Sequence, residues 1–236
     1  MQSLVSFKNV IVVSGNFPVL TGLDFEAGPG EIVLVTGRNG AGKTSFLRAV
    51  AGLLRITRGS ARVLGVDIVA NPGDARHRVG LLGHESFLYE DLTARENVNF
   101  VLKATRSDPS GADSAMASVG LAGRLADLRV VKMSAGQRKK VALAALLARN
   151  PELWLLDEPH ASLDSWTREV LDSTVNAKVA AGATVLLVSH EAQHGSLVPT
   201  RVVEVGGGKI VGDTLLSEAI VAEETVMPKQ ESGHVA

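Results

Sequence analysis

The chain has 236 residues, 45% hydrophobic and 21% charged, with a formal net charge of −1. That composition suits a globular chain with a sizeable core, and it creates no overall field toward nucleic acid or an anionic membrane surface. There is no cysteine, which excludes disulfides, thiolate metal sites and Cys nucleophiles.

Residues Met1 to Lys8 lack a basic region followed by a long apolar run, so no signal peptide is expected. No stretch reaches the roughly 18 uninterrupted apolar residues of a spanning helix. Any membrane role therefore needs a partner chain.

In chain order, apolar patterning predicts strands over 4–13 and 31–36, a helix over about 42–54, and strands over 61–66 and 79–82. Thr93-Ala94-Arg95-Glu96 has capping-box spacing, so a helix should start there and run to about 105. The cluster Ser107 to Gly111 breaks it. Further helices are predicted over about 112–122 and over 135–149, the latter stopped by Asn150-Pro151. Then follow the strand Leu153 to Leu156, a helix over 165–181, a strand over 184–188, and short strands near 201–205 and 209–212. Alternating strands and helices indicate an α/β fold with a parallel sheet and helices on its faces. We expect one unit over 1–216, a helical insert over about 85–150, and a polar, mobile tail over 217–236.

The residues with chemistry begin at Gly37-Arg38-Asn39-Gly40-Ala41-Gly42-Lys43-Thr44-Ser45, directly after the apolar run Ile32 to Val35 and before an apolar-periodic helix. That strand, glycine loop, helix order is the context of a phosphate-binding P-loop. The glycines let backbone N–H groups close on the phosphates of ATP, Lys43 reaches the β- and γ-oxygens, and the Thr44 hydroxyl is a ligand for Mg²⁺ at a positive helix N-terminus.

Asp157 and Glu158 arrive together at the C-terminal end of the strand 153–156, where ligands collect in open α/β sheets. Asp157 is placed to hold Mg²⁺ directly or through water, and Glu158 to orient and deprotonate the attacking water. Ser134 and Gln137 again have capping-box spacing, so a second helix N-terminus faces outward as an anion site. In a chain that already has a P-loop, it suggests completion of a site on another copy. The run Arg138-Lys139-Lys140 lacks interleaved aromatics and reads as a solvated helix face rather than a nucleic-acid patch.

Gly37 to Thr44, Met133-Ser134-Ala135-Gly136-Gln137, Asp157-Glu158-Pro159, Ser162-Leu163-Asp164 and Ser189-His190 resemble, in order and spacing, the Walker A, signature, Walker B, D-loop and switch-histidine motifs of ABC-type ATPases. The resemblance covers about residues 4–215. It implies a mainly parallel core sheet with an antiparallel β subdomain and a helical insert. It also implies a head-to-tail homodimer sandwiching two ATP molecules, each between the P-loop of one copy and Ser134, Gly136 and Gln137 of the other. His190 would contact the γ-phosphate, and Asp164 would make contact across the dimer.

Two departures from the family pattern stand out. His84, with Glu85 beside it, occupies the place of the usual glutamine that serves Mg²⁺, the attacking water and the membrane partner. Either residue is a candidate for that work. The aromatic expected to stack on adenine is missing from Val13 to Phe17, where Phe17 is out of register.

A finer resemblance, to the ATP-binding subunits of cytochrome c maturation systems, rests on Ser134-Ala135-Gly136-Gln137, Gly83-His84 and Leu153 to His160. It implies a peripheral subunit on the cytoplasmic face of the membrane, docked to integral membrane subunits of a haem export system. No direct haem binding is expected. The alternatives are the motor of an exporter for another solute, such as a drug or a lipid, and a soluble ATPase of iron–sulfur assembly or DNA repair.

Overall fold

The computed structural model describes residues 3–83, 86–189 and 195–216. Its centre is a six-stranded sheet made from β3 (Ile32–Thr36), β6 (Val79–Leu82), β7 (Leu153–Asp157), β8 (Thr184–Val188), β9 (Arg201–Gly206) and β10 (Lys209–Leu215). The strand order is β10-β9-β3-β8-β7-β6. Every neighbouring pair is parallel except the β9–β10 hairpin at one edge.

The second sheet is antiparallel, with order β2-β1-β4-β5, and consists of β1 (Val5–Ser14), β2 (Phe17–Ala27), β4 (Ile56–Val63) and β5 (Val66–Asp67). Among the described residues, five α-helices complete the fold: α1 (Lys43–Val50), α2 (Ala94–Ala104), α3 (Ala112–Ser118), α4 (Ala135–Arg149) and α5 (Ser165–Ala180). Helices α2 to α4 stand between β6 and β7 in the chain.

The central strands are apolar throughout because both faces of their sheet are covered, and period-two alternation sends successive residues to two different cores. Val33, Val35, Leu153, Leu155, Leu186 and Val188 pack with α1 and the antiparallel sheet. Ile32, Leu34, Trp154, Leu156, Val185 and Leu187 pack with the helices of the insert and α5. Trp154 is fully buried, as a core residue of its strand, and its indole N–H donates to the Pro151 carbonyl at 2.9 Å.

The antiparallel sheet is tied to α1 through Phe46, which stands edge-on to Phe25 with centroids 5.0 Å apart and to Phe7 at 6.0 Å. Such pairs add about 0.5–1.5 kcal/mol beyond their area burial. Phe46 thereby fixes the helix that begins at Lys43.

Four boundaries differ from the sequence reading. Strand β2 is absent from that reading because Pro18, Gly22, Asp24 and Glu26 interrupt its apolar pattern. The predicted strand 61–66 divides at Leu64 and Gly65, whose φ angles of 51° and 81° turn the chain from β4 into β5. The first helix stops at Val50 rather than 54, followed by Gly52 at φ 67°. The helix predicted to reach 122 stops at Ser118, followed by Gly120 at φ 77°. Among the described residues, no helix is long and apolar enough to cross a membrane. The region 217–236 lies outside the described residues.

Phe46→Ala removes a fully buried ring from the joint between the two sheets. Such a truncation costs about 3–5 kcal/mol. Urea denaturation followed by circular dichroism should show a fall of that size.

Candidate functional site

Strand β3 ends at Thr36, and the loop to α1 takes its path from glycines in the left-handed region, with φ of 130° at Gly37 and 109° at Gly42. A Cβ at Gly37 would overlap the Val205 carbonyl, and one at Gly42 would lie 2.9 Å from the Val19 carbonyl oxygen. Only glycine fits between these backbones. The β9–β10 turn supports the loop from behind: the Gly208 N–H donates to the Ala41 carbonyl at 2.9 Å, and the Gly208 carbonyl accepts from the Thr21 N–H at 2.9 Å. Gly42 caps α1 without a side chain, which leaves the first-turn N–H groups directed at the loop.

Lys43 is buried, and its ammonium donates to the carbonyls of Gly37 at 2.7 Å and Arg38 at 3.2 Å. The Thr44 hydroxyl donates to Asp157 Oδ2 at 2.7 Å, which joins the start of α1 to the end of β7. Both are hard oxygen ligands of the kind that suit a magnesium ion.

Glu158 follows at φ 49°, a left-handed conformation that costs a non-glycine residue about 1–3 kcal/mol and that collects at functional sites. Its N–H donates to the Val188 carbonyl at 2.9 Å, and its Oε1 is shut off from solvent. A cleft of about 690 Å³ opens over these groups, lined by Asn39, Gly40, Ala41, Gly42, Lys43, Thr44, Ser45, Asp157 and Glu158. Pro18, Val19, Val188, Gly207 and Gly208 complete it.

The structure thus brings Asn39 to Ser45 together with Asp157 and Glu158 on one wall. Gly37 and Arg38 stand behind the loop as acceptors for Lys43. Pro18 and Val19 line the cleft while Phe17, at the tip of the β1–β2 hairpin, is 76% exposed and outside the lining. The hairpin glycines were missed in the sequence; the signal was the run Gly206-Gly207-Gly208 between two short strands.

Ser134, Gly136, Gln137 and Asp164 do not line this cleft. Ser134 and Gln137 form the expected capping box at the start of α4: Ser134 Oγ accepts from the Gln137 N–H at 3.2 Å, and Gln137 Oε1 accepts from the Ser134 N–H at 3.0 Å. A Cβ on Gly136 would lie 2.8 Å from the Ser162 carbonyl oxygen. Asp164 serves its own chain as the N-cap of α5, accepting from the Thr167 N–H at 2.8 Å, and it pairs with Lys140 at 2.5 Å. The Lys140 ammonium, and after it the hydrogen bonds from Thr167, hold the Asp164 carboxyl well below the usual carboxylate range. His84, Glu85 and His190 lie outside the described residues.

The basic run at 138–140 is not a solvated face. Consecutive helical residues point about 100° apart, and these three find three different partners. Arg138 donates to the Met133 carbonyl and pairs with Glu90, Lys139 is buried against two carbonyls, and Lys140 pairs with Asp164.

A glycine loop on a parallel sheet, with a Thr–Asp pair and a second carboxylate at the strand ends, defines a P-loop ATPase site. The chain matches the ABC transporter family over residues 20–161. It is 41% identical over 186 residues to the cytochrome c biogenesis ATP-binding export protein CcmA of Xanthomonas axonopodis pv. citri, covering 78% of this chain and 85% of that one. It is 35% identical over 205 residues to the protein of that name from Vibrio vulnificus, covering 86% of this chain and all of that one. The fold matches an ATP-binding subunit of an ABC transporter with a TM-score of 0.81 at 24% identity, over 91% of this chain and 90% of that one. It also matches an ATP-binding cassette solved as a dimer in a post-hydrolysis state with ADP and Pi, with a TM-score of 0.77 at 24% identity, over 90% and 99% of the two chains. The chain belongs to the ABC transporter family, and within it to the CcmA-type ATPases.

If Lys43 supplies positive charge to the β- and γ-phosphates in ground and transition states alike, Lys43→Ala should weaken ATP binding and remove turnover together. Isothermal titration with Mg-ATP, paired with phosphate release, measures both.

Proposed function

We propose that this chain is the ATP-binding and ATP-hydrolysing subunit of a cytochrome c maturation complex, peripheral at the cytoplasmic face of the membrane and coupled there to haem export. The export role is carried by the relatives' identity over most of the chain. The catalytic role is carried by one observation, the convergence of Lys43, Thr44, Asp157 and Glu158 on a single cleft.

In this reading, Lys43 exchanges the Gly37 and Arg38 carbonyls for phosphate oxygens, and the α1 N-terminus adds its N–H groups. Thr44 and Asp157 would hold Mg²⁺, which neutralises charge on the β- and γ-phosphates. Glu158 takes a proton from the attacking water. His190 contacts the γ-phosphate, and His84 or Glu85 serves the metal and the water.

Ser134, Gly136 and Gln137 act on the nucleotide of a second copy in a head-to-tail homodimer. Their position outside the cleft of their own chain, with helix N–H groups at α4, supports this. Asp164 contacts the partner copy while remaining the cap of α5. The unit spans 1–216, with 217–236 as a tail.

Docking to membrane subunits is supported by an exposed aromatic cluster just after residues 84 and 85. Phe87, Tyr89 and Phe100 are 67%, 53% and 44% exposed, and the Tyr89 and Phe100 rings stand edge-on with centroids 4.8 Å apart. Exposed apolar groups of this kind mark interaction sites.

Glu158→Gln keeps the shape of the side chain but cannot take the proton, so hydrolysis should fall by roughly 10² to 10⁴ while ATP still binds. With saturating Mg-ATP this variant should be a dimer by light scattering. A monomer there contradicts the head-to-tail reading, and near wild-type turnover contradicts the base assignment.

The double variant Tyr89→Asp, Phe100→Asp tests docking. It should lose copurification with the membrane subunits while the isolated chain keeps its ATPase rate. Retained copurification rules this surface out.

A further inference from the structure

Strands β6 and β7 are parallel neighbours, with Leu82 opposite Leu156, so the residues that follow them leave the sheet side by side. Here the ladder ends, and the carbonyls of Gly83 and Glu158 pass beyond their last sheet partners. Carbonyls withdrawn from a sheet ladder need other donors. Both receive the same one: Lys139 Nζ donates to the Glu158 carbonyl at 3.1 Å and to the Gly83 carbonyl at 3.3 Å.

Lys139 stands in the second turn of α4, five residues after Ser134, and it is only 8% exposed. Burial lowers its pKa, and the charges of Asp157 and Glu158 act in the opposite direction. An ammonium with three donors in such a place is costly unless its donors are used.

We propose that Lys139 is a positioning residue for Glu158, and that it locks the signature helix, the exit of β6 and the catalytic carboxylate loop into one geometry. The proposal rests on the assignment of Glu158 as general base.

Three observations carry it. Glu158 holds a left-handed φ of 49°, and the peptide after it is the one whose carbonyl Lys139 binds. The Glu158 N–H is fixed on the other side by the Val188 carbonyl, so the residue is clamped before and after its Cα. Ala161 also donates to the Glu158 carbonyl, at 3.3 Å, but from within the same loop, whereas Lys139 ties that carbonyl to the helical insert. Without the ammonium, the strained peptide is free to relax and to swing the carboxylate from its water, and misplacement of about 1 Å costs on the order of 10² in rate.

The test is a double-mutant cycle on the full chain. Lys139→Met should lower kcat by roughly 10- to 100-fold, with KM for ATP and the dissociation constant for Mg-ATP changed less than about threefold. Lys139→Arg, which keeps the charge and can donate to both carbonyls, should recover most of the rate. In the Glu158→Gln background, Lys139→Met should cause little additional loss, because the group it positions no longer acts.

Equal losses in both backgrounds, or a Lys139→Met enzyme with wild-type kcat, overturn the proposal. So does a parallel loss of ATP binding. If Lys139→Met fails to unfold cooperatively, Lys139→Gln and Lys139→Arg complete the same cycle: the shorter neutral amide should lower kcat and the guanidinium restore it, and equal rates overturn the proposal. Near wild-type turnover by Glu158→Gln alone is a different result, since it rejects the general base itself.

Discussion

The structure depends on the contact of backbone with backbone around the P-loop. Gly37 rests on the Val205 carbonyl, and Gly42 rests on the Val19 carbonyl. Gly208 fits between that same carbonyl and Leu20 while its N–H holds Ala41. Three segments far apart in the chain meet with no room for a Cβ. Backbone contacts thus fix the path of the loop, and N–H groups fixed in this way carry little ordering cost on binding. The same contact explains why the antiparallel sheet belongs to the site: Pro18 and Val19 of β2 line one wall of the cleft, and Phe46 binds that sheet to the helix the loop feeds.

The preformed loop determines what Lys43 has to do. Its ammonium is buried and meets two carbonyls of its own loop, an arrangement that satisfies the charge while leaving it only weakly neutralised. Phosphate oxygens are charged acceptors and form the stronger bonds. On the proposed reading, an exchange of partners is thus favourable without movement of the helix. Thr44 and Asp157 share this logic on the proposed reading, since their hydrogen bond holds two oxygens near one another.

Much of this was legible in local sequence. The glycine loop, the strand before it, the carboxylate pair after Leu156 and both capping boxes depend on neighbours within a few residues, and each stands where the pattern put it. Strand β2 was not legible, because its inward residues Leu20, Leu23 and Phe25 do not keep a strict alternation, and a bulge at Gly22, opposite Val10 and Ile11 of β1, absorbs the mismatch. Nor were the roles of Arg138, Lys139 and Lys140. A run of like charges reads as a solvated surface only if its residues share a face, and on a helix adjacent residues do not. Their partners, at Glu90, Gly83, Glu158 and Asp164, are brought in by tertiary structure from as far as 56 residues away.

Helix α4 is where the proposed division of the site between two copies has its physical basis. Its N-terminus presents the capped turn of Ser134 and Gln137 away from the cleft, while its second turn is fastened through Lys139 to the ends of β6 and β7 and through Lys140 to the cap of α5. Gly136 lies against the Ser162 backbone at a distance that admits no side chain. These attachments hold the helix terminus in place on its own chain. On the proposed reading, a second copy must supply that terminus, and two-fold symmetry then creates two sites at once. Whatever moves α4 relative to the sheet also pulls on the peptide after Glu158. Assembly of the dimer and alignment of the base are then consequences of one set of contacts.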